Sequence, residues 1–117
     1  MLDASYAKTR GKELGAVVAR SNRNSRPRDK IDFEAIRQLV KVFPRIDLTV
    51  PKDFMKVRSR LKFQLAMWVG DAGGDFDKRK TIAEGLLQAV EQIRDGQSWK
   101  MYQHLVQTLI AEFKLQE

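Results

Sequence analysis

Apolar residues return every three or four positions through most of this chain, and that period excludes most folds. Phe54, Val57, Leu61, Leu65 and Trp68 step by 3, 4, 4 and 3, the spacing that keeps side chains on one face of an α-helix. Ile82, Leu86, Val90 and Ile93 form a second stripe, and Trp99, Tyr102, Val106, Leu109, Ile110 and Phe113 a third. Two-residue alternation is confined to residues 46–50, too short to build a sheet. With 117 residues of which 43% are hydrophobic, the chain can bury a core. The pattern predicts an all-α fold, an antiparallel bundle of about five helices, in a single helical domain over residues 1–117.

The helix boundaries follow from caps and breakers. The first helix is expected over about residues 4–20, with Tyr6, Leu14, Val17 and Val18 inward and Lys8 and Lys12 outward. Gly11 and Gly15 either break it locally, the plainer reading, or let a neighbouring backbone approach. Residues 21–30, SNRNSRPRDK, hold no apolar side chain except Pro27 and predict an exposed, mobile loop. Asp32 can cap a second helix over about 33–42, with Ile36, Leu39, Val40 and Phe43 inward and Pro44 ending it. Thr49 and Pro51 suit the start of a third helix. Phe63 and Met67 fall opposite its main stripe, so its second half is expected to be the most buried element. Gly70, Gly73 and Gly74 end it. Asp75 or Asp77 caps a fourth helix, about 78–95, which Gly96 stops. Ser98 caps the fifth.

The formal charge of +7 is gathered rather than spread. Residues 1–30 hold eight Lys or Arg against three acids, and residues 51–70 hold five against one. Residues 81–96 are net negative by two. Clustered cations attract polyanions. Arg20, Arg23, Arg26, Arg28 and Lys30 stand within eleven residues, and arginine's planar fork matches phosphate oxygens. Ser21, Asn22, Asn24 and Ser25 could add neutral hydrogen bonds to a sugar–phosphate backbone. The bland alternative is a solvated linker. Lys52, Lys56, Arg60 and Lys62 form a second block on the third helix, with Lys8 and Lys12 as further candidates. The governing expectation is that these side chains converge into one cationic track. Lys78, Arg79 and Lys80 form a smaller cluster in a helix first turn, where the helix dipole disfavours cations; they either mark function or balance Asp75 and Asp77.

No catalytic pattern competes with this signal. Cysteine is absent and His104 is the single histidine, projecting away from the apolar stripe of its helix with no partner for general-base work. The acidic, glycine-rich stretch at 71–77 lacks the alternating ligands and closing Glu of a calcium loop. Residues 11–15 lack the Gly-Lys-Ser/Thr ending of a phosphate loop. No enzyme, cofactor or metal site is expected. No apolar run approaches the length needed to span a bilayer, and the opening MLDASYAKTRGK lacks a signal peptide's apolar core, so a soluble, cytoplasmic protein is expected.

Residues 57–113 carry a further likeness. VRSRLKFQLAMWVGD followed by TIAEGLLQAVEQIRDGQSWKMYQHLVQTLIAEF resembles the small helical subunits of multi-subunit, class 1 CRISPR effector complexes. Those subunits commonly have a basic, apolar central helix, a loop, a helix ending in a short turn and an amphipathic closing helix. The resemblance implies a non-catalytic bundle that lines up in several copies along a guide-RNA backbone. It implies as partners guide RNA, target or displaced DNA, other protein subunits and copies of itself.

Two other readings fit the same residues. One is a small phage-type inhibitor or adaptor that docks on an acidic protein surface. The other is a DNA-binding regulator that uses the start of the third helix, although Glu84, Glu91 and Asp95 would repel phosphates from the fourth.

Overall fold

The computed structural model describes residues 1–41 and 53–117, with Asp53 described in its backbone alone. They form five α-helices packed as an all-α bundle: α1 (Ala4–Arg23), α2 (Phe33–Lys41), α3 (Asp53–Gly70), α4 (Phe76–Val90) and α5 (Gly96–Gln116). The expected ends at Phe43 and Pro44, and the start at Thr49 and Pro51, lie outside the described residues.

The central element is α5, which packs against α1, α2 and α4. Its stripe of Trp99, Tyr102, Leu105, Val106, Leu109 and Phe113 is buried along its length. Burial also raises the Tyr102 phenol above its ordinary value of 10, because the ionised form has no water around it. This corrects the expectation that α3 would be the most buried helix. Phe54, Val57, Leu61, Leu65 and Trp68 do face the core, but Phe63 and Met67 are 65% and 53% exposed. The reason is position: α3 lies at the edge, packed chiefly on α4.

The α1–α5 seam settles the role of the two glycines. α1 is unbroken from Ala4 to Arg23, and Ala7, Gly11, Gly15 and Ala19 are all buried at four-residue spacing. A Cβ on Gly11 would stand 2.7 Å from the Leu105 carbonyl oxygen and 2.8 Å from Thr108 Cβ. One on Gly15 would stand 2.7 Å from the Leu109 carbonyl oxygen and 3.0 Å from the Phe113 nitrogen. The glycines therefore admit a neighbouring backbone and do not break the helix. Both contacts advance in the same direction along the two chains, so α1 and α5 run parallel within the bundle. The smallest residues form the buried ridge, so Val17, expected inward, is 47% exposed.

α3 and α4 are instead joined by polar side chains and run antiparallel. Arg79 donates from Nε to Asp75 Oδ2 at 2.8 Å and from a terminal nitrogen to the Trp68 carbonyl at 2.9 Å. Its guanidinium also lies 5.1 Å from the centre of the Trp68 ring. Trp68 Nε1 in turn donates to the Ala35 carbonyl at 2.9 Å, tying α3 to α2. Further along, Arg58 donates to the Ile93 carbonyl and Lys62 pairs with Glu91.

Of the expected caps, Asp32 forms as read, while those at Asp75, Gly96 and Ser98 are corrected. Asp32 accepts from Ala35 N at 2.8 Å. Asp75 precedes α4, but its carboxylate accepts from Gly73 N and Arg79 instead of capping the helix. α4 ends at Val90, earlier than expected, and Gly96 is the first residue of α5 rather than a stop. Asp95 caps α5, in a reciprocal box with Ser98. Val40, expected inward on α2, is 39% exposed.

Candidate nucleic-acid interface

The densest basic segment joins α1 to α2, and it is more ordered than a loop of that composition suggests. α1 continues to Arg23, and a 3-10 turn follows at Pro27–Asp29, where proline supplies its fixed φ. Asn22 pins the returning chain with two hydrogen bonds. Its Nδ2 donates to the Ile31 carbonyl at 2.8 Å, and its Oδ1 accepts from Ile31 N at 2.9 Å. Ile31 itself is buried. Ser25 Oγ donates to the Ser21 carbonyl at 2.8 Å, and Asn24 Nδ2 to the Arg20 carbonyl at 3.4 Å. The neutral side chains of Asn22, Asn24 and Ser25 are thus engaged with the local backbone, which corrects the expectation that they await a nucleic acid.

The arginines divide by what they touch. Arg23 donates to the Gln116 carbonyl at 2.6 Å, a cation placed where the C-terminal turn of α5 leaves carbonyls unpaired. Arg28 lies 3.7 Å from the Asp29 carboxylate while staying 76% exposed, a contact of little energetic weight. Arg20, Arg26 and Lys30 are exposed, and no described residue pairs with any of them. A Cβ on Gly74 would overlap the Arg28 carbonyl, so this segment rests on the α3–α4 connection. The start of α2 meets the same end of the bundle, where Phe33 stacks on Phe113 at 6.5 Å. The N-termini of α2 and α4 meet the C-termini of α1 and α5 here, so helix-dipole ends of both signs converge at this end. Asp29, Asp32 and Glu117 stand among them as counter-charges.

The second block is elsewhere. Arg60 and Lys56 stand about 12 and 18 Å along the α3 axis from Trp68, at 1.5 Å per residue. Both are exposed and unpaired among the described residues. Lys62 is held by Glu91, and that hydrogen bond, followed by the charges of Lys62, Arg58 and Arg94, lowers the Glu91 carboxyl below its ordinary value. Lys8 and Lys12 are exposed on the first half of α1, with Lys8 about 18 Å along the helix from Arg20. Lys52 lies outside the described residues. The expected single track is therefore not formed by the contacts of the fold. One group gathers at the α1–α2 connection, a second stands along α3, and a third along α1.

The small cluster at the start of α4 is structural. Arg79 is the clasp described above, Lys78 is buried and Lys80 alone is exposed. Asp75 and the Trp68 ring offset the unfavourable dipole at Arg79; the balance with Asp75 is one of the two expected readings, while the role of Trp68 is not visible in the spacing. His104 is exposed. Among the described residues no three His, Asp or Glu side chains converge as a metal site requires, and no helix is long and apolar enough to cross a membrane. Comparison with protein-family models, with curated proteins and with solved structures finds no match.

Proposed function

We propose that this protein is a non-catalytic nucleic-acid-binding subunit of a ribonucleoprotein, and that it contacts phosphates through the end of the bundle built by the α1–α2 connection. The observation that carries this reading is the group of Arg20, Arg26, Arg28 and Lys30. They are exposed on a segment held in place by Asn22 and Ile31, with one weak carboxylate contact among the described residues. A pinned backbone holds the cations in register, so binding phosphate orders only their side chains. Clustered cations are matched first to backbone phosphates, so binding with little sequence preference is expected. A multi-subunit CRISPR effector is the specific assembly that the resemblance implies, and a guide-RNA operon beside the gene would support it.

The test is a salt titration of single-stranded RNA and DNA binding by the wild type and by the variant Arg20→Ala/Arg26→Ala/Arg28→Ala/Lys30→Ala. Loss of four phosphate contacts lowers the slope of log K against log salt by about 3. Arg23 is left in place because it holds the end of α5. An unchanged slope would refute the assignment of this end.

The adaptor reading is favoured by a different surface, the outward face of α3. That surface is compatible with the first reading, since a subunit needs one face for nucleic acid and another for its neighbours.

A further inference from the structure

The outward side of α3 is apolar where solvent exposure favours polar residues. Met55, Phe63 and Met67 are 69%, 65% and 53% exposed. With Ser59 they follow one line of the helix at four-residue spacing. The line covers about 18 Å of axis; Phe63 and Met67 stand about one turn apart, and Met55 extends the apolar ridge beyond a single interruption at Ser59. Phe54, Val57, Leu61, Leu65 and Trp68 already supply the core side of the same helix. Beside the ridge, Lys56 and Arg60 project from one flank, exposed and without a carboxylate among the described residues. On the other flank Lys62 is held by Glu91.

We propose that this face docks an amphipathic helix of a partner protein, with the partner's apolar stripe on Met55, Phe63 and Met67 and its Asp or Glu residues against Lys56 and Arg60. The flanking charge identifies the occupant. A second copy of this chain, paired antiparallel so that the ridge interlocks, sets Met55 against Met67 and Ser59 against Phe63. It also sets the Lys56 and Arg60 flank against the same flank of the second copy, cation facing cation. A polynucleotide would satisfy the cations and could stack a base on Phe63, but it would leave Met55 and Met67, which offer no aromatic face, uncovered. Methionine is flexible and polarizable and fits the uneven surface of a docked helix. The inference uses different residues from the phosphate-binding end and stands without it.

The test is an NMR titration of the full-length protein with two synthetic amphipathic helical peptides, identical in their leucine stripe. One has glutamates and the other lysines along the flanks. The glutamate peptide is expected to bind, shifting the resonances of Met55, Phe63 and Met67. Met55→Ser/Phe63→Ser/Met67→Ser should weaken it about tenfold or more, and Lys56→Glu/Arg60→Glu should reverse the preference toward the lysine peptide. The ridge is exposed, so the triple variant should keep its unfolding midpoint; if it does not fold, Phe63→Ser alone makes the same comparison. Equal binding of the two peptides, or no binding of either below about 1 mM, overturns the proposal. So does a concentration-dependent dimer that Phe63→Ser abolishes, which assigns the face to a second copy. Oligothymidylate affinity that falls in Phe63→Ser also overturns it, in favour of nucleic acid. The fourfold Arg20/Arg26/Arg28/Lys30 variant should leave peptide binding unchanged, so the two surfaces fail or succeed separately.

Discussion

The bundle has two kinds of seam. α1 and α5 meet through backbone, over Ala7, Gly11, Gly15 and Ala19, with carbonyls of α5 where side chains of α1 would otherwise be. α3 and α4 meet through long polar side chains, with Arg79 clasping Asp75 and Trp68 at one end and Lys62 and Arg58 reaching across at the other. The first seam tolerates no added volume. The second depends in addition on charge and on one indole. The difference bears on the two candidate surfaces. The basic segment issues directly from the end of α1, anchored by the close seam, whereas the apolar ridge rides on an edge helix held by clasps.

The sharpest way to break this comparison is at Trp68. Trp68→Ala removes a buried ring, the bond to Ala35 and the platform for Arg79, and should cost about 3–5 kcal/mol in urea unfolding. Arg79→Met keeps the ring but leaves the Asp75 carboxylate, 11% exposed, without its partner; a cost of about 3 kcal/mol is expected. A loss below about 1 kcal/mol for both, less than one ordinary buried contact is worth, would show that the clasp does not hold α3.

Next comes the close seam. Helix propensity alone makes Gly15→Ala stabilising by up to about 1 kcal/mol. The added methyl would stand 2.7 Å from the Leu109 carbonyl oxygen, against backbone that cannot rotate away. Overpacking should therefore win, and Gly15→Ala should lose about 1–3 kcal/mol. Ser59→Ala, on the exposed line of α3, follows propensity instead and should gain about 0.5 kcal/mol or less. Stabilisation by both substitutions would erase the distinction between the seams.

The smallest effect is on pH. Backbone and side-chain hydrogen bonds from Ser98 hold the Asp95 carboxyl below its ordinary value of 3.8, and Lys62 holds Glu91 below 4.5. A depressed carboxyl stabilises the fold above its unfolded value, and the contribution is lost as pH falls through the folded value. Asp95→Asn should therefore narrow the gap between the unfolding midpoints measured at neutral pH and in acid. An unchanged gap would mean that this cap titrates alike in folded and unfolded chains.

Much of the helix layout was legible because burial has a period. The stripes of α4 and α5 and the inner stripe of α3 are in the sequence, as is the Asp32 cap. The last three residues of α1 were not legible, because Ser21, Asn22 and Arg23 are polar and carry no periodic signal. The four-residue spacing of Ala7, Gly11, Gly15 and Ala19 was present but weak, since small residues register as neither core nor surface until a neighbour is known. The exposed face of Phe63 and Met67 was misread as core for the same reason. Apolarity on a second face signals a partner, without saying whether that partner belongs to the same chain.

By itself the sequence determined that this chain is helical, roughly where its helices lie, and that its cations are clustered, because these are properties of neighbours within a few residues. Only the tertiary structure decided which cations were engaged. Arg23 is bound to Gln116 and Lys62 to Glu91, while Arg20, Arg26, Lys30, Lys56 and Arg60 face solvent. Those pairings depend on which helix lies beside which, and helix order in space is set by packing complementarity between segments far apart in the chain. Local residue patterns do not contain it.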